Sequence, residues 1–190
     1  MVASSTDFLT REQQRLHDMK HKPIPYSFIC QHTALSWQDT LWGYNHQLIG
    51  WMDVVAIAEC RLLHGSESPI EIELALLGKS ATHLVGELLR SLAINEPAEP
   101  SPSSDKKWLY LVLAWLYKNK NSIPDPLRVV EDIYADFDYP SEIESFVRYM
   151  PIYDEYDPSQ HTTEDNEKRL FSNWHKYLIS TNILNPDKLL

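Results

Sequence analysis

Between Glu131 and Asp157 the chain sets nine carboxylates (Glu131, Asp132, Asp136, Asp138, Glu142, Glu144, Asp154, Glu155 and Asp157) against a single cation, Arg148. Seven rings are interleaved with them: Tyr134, Phe137, Tyr139, Phe146, Tyr149, Tyr153 and Tyr156. Three uses of such a mixture compete. Carboxylate oxygens suit hard divalent cations, and Asp136-Phe137-Asp138 is a DxD of the kind that helps hold a metal in some sugar transferases. A metal-dependent enzyme would need Glu131 or Asp132 to converge on the same point. The second use is architectural. Phe137 and Tyr139 would pack inward, and Asp138 would sit at the N-terminus of a helix opening after Pro140, where a negative charge gains about 0.3–1 kcal/mol. That role occupies one or two acids. The third use is docking. Tyrosine gives wide contact area at low rotamer cost, and neighbouring carboxylates steer and pair with Lys or Arg. On that reading Asp136, Asp138, Tyr139, Glu142, Tyr149, Tyr153 and Asp154 would grip a basic protein. A merely solvated acidic face is the plain alternative.

Little else in the chain points to chemistry. His17 and His21 share a helix face at a spacing that suits zinc, but Lys20 lies between them and no third ligand is at hand. No GxxxxGK[ST] loop, GxGxxG turn or GxSxG elbow is present, and Cys30 near His32 does not make a dyad. No catalytic residue, metal ligand or cofactor is assigned.

The formal charge of −10 would repel nucleic acid and attract a basic protein. The excess lies late in the chain: residues 1–95 hold ten acids and seven bases, residues 96–190 seventeen and ten. Two cysteines form neither a disulfide framework nor a metal pattern, and Cys60 sits in an apolar helical run that suggests a buried thiol. The first residues, MVASSTDFLTREQQRL, lack a signal pattern. The longest apolar run, WLYLVLAWLY from Trp108 to Tyr117, falls short of the ~20 residues that span a bilayer. The expected setting is cytoplasmic, without a membrane partner.

The elements that must position these residues read as helices throughout. Thr10 with Gln13, Ser36 with Asp39, and Ser141 with Glu144 have capping-box spacing. Ser68-Pro69 and Asp125-Pro126 put a cap residue before a proline at the first helical position. Apolar stripes at helical spacing follow, such as Val129, Ile133 and Phe137, and no segment alternates with period two. Helices are expected near 7–21, 26–34, 37–47, 51–64, 69–77, 80–93, 105–119, 125–137, 140–149 and 164–181. The run at 108–117 is apolar on every side and must be wrapped by other helices. The fold class is all-α, an irregular multi-helix bundle compatible with stacked helical hairpins. Residues 1–190 read as one domain: an N-terminal lobe to about residue 93, a Pro-rich surface loop over 94–105 that reads as mobile, and a C-terminal lobe from about 106. Trp37, Trp42, Trp51 and Trp115 read as core, with Trp42 and Trp51 also placed to line a groove between lobes.

The segments ALSWQDTLWG, DPLRVVEDIYADFDYP and ESFVRYMP, with the tail EDNEKRLFSNWHKYL, resemble a bacterial family of uncharacterised proteins, domain-of-unknown-function family 2247, over most of residues 26–181. The resemblance carries no catalytic residue. Many small acidic bacterial families act as immunity proteins against toxins. The function expected is therefore that of a non-enzymatic acidic binding protein of immunity or inhibitor type, facing a basic, toxin-like partner. The alternatives are a metal-dependent enzyme using Asp136 and Asp138, and a helical scaffold with no discrete site.

Overall fold

The computed structural model describes residues 23–97 and 102–181. His17, His21 and the Thr10–Gln13 cap lie outside the described residues. Eight α-helices are described: α1 (Tyr26–His32), α2 (Trp37–Asn45), α3 (Trp51–Leu63), α4 (Pro69–Ala75), α5 (Val85–Asn95), α6 (Ser104–Asn119), α7 (Pro126–Asp136) and α8 (Thr163–Ser180). Short 3-10 turns precede α5 (Lys79–Leu84), follow α6 (Lys120–Ser122) and fill the run between α7 and α8 (Ser141–Phe146 and Pro158–Gln160). No strand occurs among the described residues, and the fold is an all-α bundle.

The caps explain where several helices start. Ser36 Oγ accepts from the Asp39 amide and the Asp39 carboxylate accepts from the Ser36 amide, the reciprocal pair read from the sequence. Asp125 accepts from the Arg128 amide at 3.0 Å, with Pro126 at the first helical position. Two further capping boxes do not close. Ser68 caps α4, but Glu71 turns inward instead of reaching back, and its Oε1 accepts from the Trp37 indole at 2.7 Å. Ser141 and Glu144 form no capping box; Pro140 opens a single 3-10 turn in place of the longer helix expected over 140–149.

Helix α6 is the centre, as its apolar run requires. Trp108, Tyr110, Leu111 and Ala114 belong to one buried cluster, with α1 to α5. Leu109, Leu113 and Leu116 belong to a second, with α7, the Ser141–Phe146 turn and Trp174 of α8. Opposite faces of one helix thus supply both halves of the core. Trp108 is fully buried because α2 offers a glycine beneath it: a Cβ on Gly43 would lie 2.1 Å from the ring, and the indole donates to the Asp39 carbonyl at 2.8 Å.

Lys107 reads in the sequence as a charged flank of that run, yet only 4% of it is exposed. Its ammonium lies 2.6 Å from Asp39 Oδ2, and Ser104 Oγ donates to Oδ1 at 2.7 Å. Burial pushes the Asp39 carboxyl up, but the hydrogen bonds from Lys107, Ser104 and Ser36 together outweigh it and hold the group below its ordinary value.

The segment read as a mobile loop is shorter at both ends, since α5 runs through Asn95 and α6 begins at Ser104. Its first acid is anchored. Glu96 accepts from the Trp37 amide and lies 3.1 Å from the Arg61 guanidinium, which also stacks on the Trp37 ring. Residues 98–101 lie outside the described residues. Cys60 is half-buried, with Sγ 3.6 Å from His64 Nδ1, and Cys30 is exposed. Trp37 is core, and Trp42, Trp51 and Trp115 are partly buried against the first cluster. The groove described below lies elsewhere, along α8.

Candidate functional site

The carboxylate-and-tyrosine stretch begins where α7 ends. The amide of Tyr139 donates to the Tyr134 carbonyl at 2.8 Å and that of Asp138 to Ala135 at 3.3 Å. This is the Schellman pattern that closes a helix with a left-handed residue, usually glycine. Here Asp138 takes that position at φ 60°, and Tyr139 follows at 59°. Each costs on the order of 1 kcal/mol of backbone strain. Asp138 therefore closes the preceding helix and does not cap the next, whose first turn has no side-chain cap. The motif's usual ring contact is present too, with Tyr139 edge-on to Tyr134 at 5.2 Å between centroids.

Tyr134 is buried and forms the base of a small aromatic group. Tyr149 tilts against it at 6.2 Å, and the Tyr134 hydroxyl donates to Glu144 at 3.1 Å. Burial, then the Glu144 carboxylate, raise the Tyr134 phenol above its ordinary value. Tyr139 and Tyr149 stay exposed at 59% and 58%, whereas Tyr134 and Phe146 are buried and Phe137 packs partly against the core.

The nine acids do not behave alike. Glu131 is buried and salt-bridged to Arg148 at 2.7 Å and Arg128 at 3.2 Å; Arg148 also holds Asp125 at 3.0 Å. Asp132 lies 3.7 Å from Arg128. Asp154 lies 2.6 Å from Arg169, whose guanidinium covers the Tyr156 ring and holds the Asp154 carboxyl below its ordinary range. Asp157 caps the short turn at Ser159. Asp136, Asp138, Glu142 and Glu155 are exposed. Among the described residues no three His, Cys, Asp or Glu side chains come together as a metal site, so Asp136 and Asp138 lack the third carboxylate that metal chemistry requires of them.

The residues chosen from the sequence divide spatially. Glu142, Tyr153 and Asp154 line a groove of about 980 Å³ between the 141–158 segment and α8. Tyr139 and Tyr149 stand outside its lining, and Asp136 and Asp138 sit at the end of α7. The two regions meet at Glu144, which lines the groove and receives the Tyr134 hydroxyl.

Sequence reasoning missed the second wall of the groove. Thr163, Asn166, Leu170, Asn173, Tyr177 and Ser180 line it from α8 at successive steps of three or four. Trp174, beside this stripe on α8, is buried in the second core cluster, against which Leu170 and Tyr177 also pack. Asn173 donates to the Ser145 carbonyl at 2.8 Å and Asn166 to Pro158 at 3.1 Å, so both amides fix the walls. A mixed polar stripe on an amphipathic helix reads the same whether it faces solvent or a groove, and no sequence signal distinguished the two.

The model of a family described as an uncharacterised protein conserved in bacteria (DUF2247) matches residues 26–182. The chain belongs to this family. The DUF2247 match runs from the first residue of α1 past the last of α8, so it covers both halves of the core and the groove. No curated protein and no solved structure matches the chain. Among the described residues no helix is long and apolar enough to cross a membrane.

Proposed function

We propose that this DUF2247 protein is a non-enzymatic acidic binding protein of inhibitor or immunity type, which captures a basic protein partner. One observation carries the reading: Tyr139 and Tyr149 stand more than half exposed on a buried tyrosine base, with the exposed acid Asp138 next to Tyr139 in the chain. Exposed rings fixed from below are ready contact surface with little entropy left to lose on binding. The strained backbone that presents Tyr139 supports it, because such strain collects at functional positions. The charge of −10 supplies the steering field.

The test is affinity capture from the host bacterium with the wild-type chain and a Tyr139→Ala/Tyr149→Ala variant. A basic protein retained at low salt, released at high salt and lost in the variant is the expected result, since exposed charges are screened within about 8 Å at physiological ionic strength. A complex indifferent to both salt and the two tyrosines overturns the proposal.

A further inference from the structure

We infer that the groove along α8 receives an amphipathic, lysine- or arginine-bearing helix of a protein partner. The inference rests on the binding-protein reading above and names the surface and the chemistry of the segment bound. Shape comes first. α8 has 18 residues, about 27 Å of helix at 1.5 Å per residue, and the lining runs from Thr163 at its start to Ser180 at its end. A trough that long, with a volume at the top of the roughly 300–1,000 Å³ seen for small-molecule pockets, suits a run of several helical turns.

The lining includes an apolar set on which a helix would lay its apolar stripe, Leu170 and Tyr177 from α8 with Val147, Met150 and Ile152 from the other wall. Charge then selects the sign of the occupant. Two of the three cations lining the groove are already engaged, Arg169 by Asp154 and Arg148 by Glu131 and Asp125. Lys176 is the third. Against it stand Glu142 on one wall and Glu167 on the other, both exposed, and Glu144. Neither Glu142 nor Glu167 has an ion-pair partner among the described residues. A helix with apolar residues inward and Lys or Arg along both edges would meet a carboxylate on each rim; an acidic helix would meet repulsion there. Glu144 joins the groove to the tyrosine group, so one partner can span both.

The test uses fluorescein-labelled peptides and anisotropy. One is a helical Leu/Lys peptide with leucines on one face, the second its Leu/Glu counterpart, the third a Lys/Ser peptide of equal charge without an apolar face. The Leu/Lys peptide is expected to bind and to weaken as salt rises. The Lys/Ser peptide should bind at least about tenfold more weakly and the Leu/Glu peptide not at all. Glu142→Lys and Glu167→Lys should each weaken the Leu/Lys peptide several-fold while the circular dichroism and melting curve stay unchanged.

Binding that ignores both reversals but falls in Tyr139→Ala overturns the groove and leaves the proposed function standing, because the basic segment then sits on the tyrosines alone. No binding by the Leu/Lys peptide, or equal binding of all three, also overturns it, and the capture experiment decides the wider reading separately. Concentration-dependent dimers in sedimentation that Glu167→Lys abolishes would mean that a second copy of the chain fills the groove, and would overturn it too.

Discussion

Asp39 and Lys107 are both almost wholly buried, with side-chain exposures of 3% and 5% and the ammonium 2.6 Å from Oδ2. Replacing either one should be costly for a calculable reason. In Lys107→Met the carboxylate keeps the Ser36 amide and the Ser104 hydroxyl but loses the ammonium's charge; Asp39→Asn removes the charge 2.6 Å from the ammonium. Breaking a buried pair from one side typically costs about 3–5 kcal/mol, largely through the stranded charge. At roughly 2–4 °C per kcal/mol for a chain of this size, each single variant should melt on the order of 6–20 °C lower. The double variant removes both charges and should be less destabilised than the sum of the singles by about 2 kcal/mol or more. Calorimetry and urea titration on the four proteins would measure this. The acid limb gives a second reading. The Asp39 carboxyl is depressed in the fold, so its contribution is complete above the ordinary carboxylate range near ~4 and fades as pH falls through the folded value. Asp39→Asn should flatten stability against pH in that window. Single-variant losses below about 1 kcal/mol, or strict additivity in the double variant, would refute the argument that a stranded buried charge sets the penalty.

Other expectations follow from the same contacts. Gly43→Ala puts a methyl group 2.1 Å from the fully buried Trp108 ring, which cannot simply swing away, so urea melts should show a loss of at least about 1–3 kcal/mol. Asp138→Gly should stabilise by about 0.5–1 kcal/mol in the same assay, because glycine fits the left-handed position that aspartate occupies under strain; Gly65→Ala, at φ 95° behind α3, should go the other way. Arg148→Met should cost about 1–2 kcal/mol by thermal melting, since Glu131 is buried but keeps Arg128, and Arg148 itself is one-third exposed.

The three Schellman ends show how unevenly structure can be read from residues. α3 closes on Gly65, which any inspection would mark as a helix stop. α2 closes on Gln47 and α7 on Asp138, with the same backbone bonds and no glycine to announce them. Asp138, followed by Tyr139 and a proline, instead suggested a cap for the next helix. In the folded chain its amide is already committed backward to Ala135.

From its sequence alone the chain determines its class, its helix order and its central element. Caps, proline positions and apolar spacing act within a few residues, and WLYLVLAWLY has no polar side to leave in water. Local rules also select the stretch where acids and tyrosines concentrate. What they cannot decide is which of those groups remains available to a partner. Glu131 and Glu142 have the same side chain. Glu131 meets Arg148 because the chain beyond the 141–146 turn brings that arginine back to α7, whereas Glu142 stays exposed in the lining of a groove. The groove itself has one wall from residues 141–158 and the other from α8. Long-range pairing decides such matters, since a charge is neutralised by whatever the fold brings within a few ångströms of it.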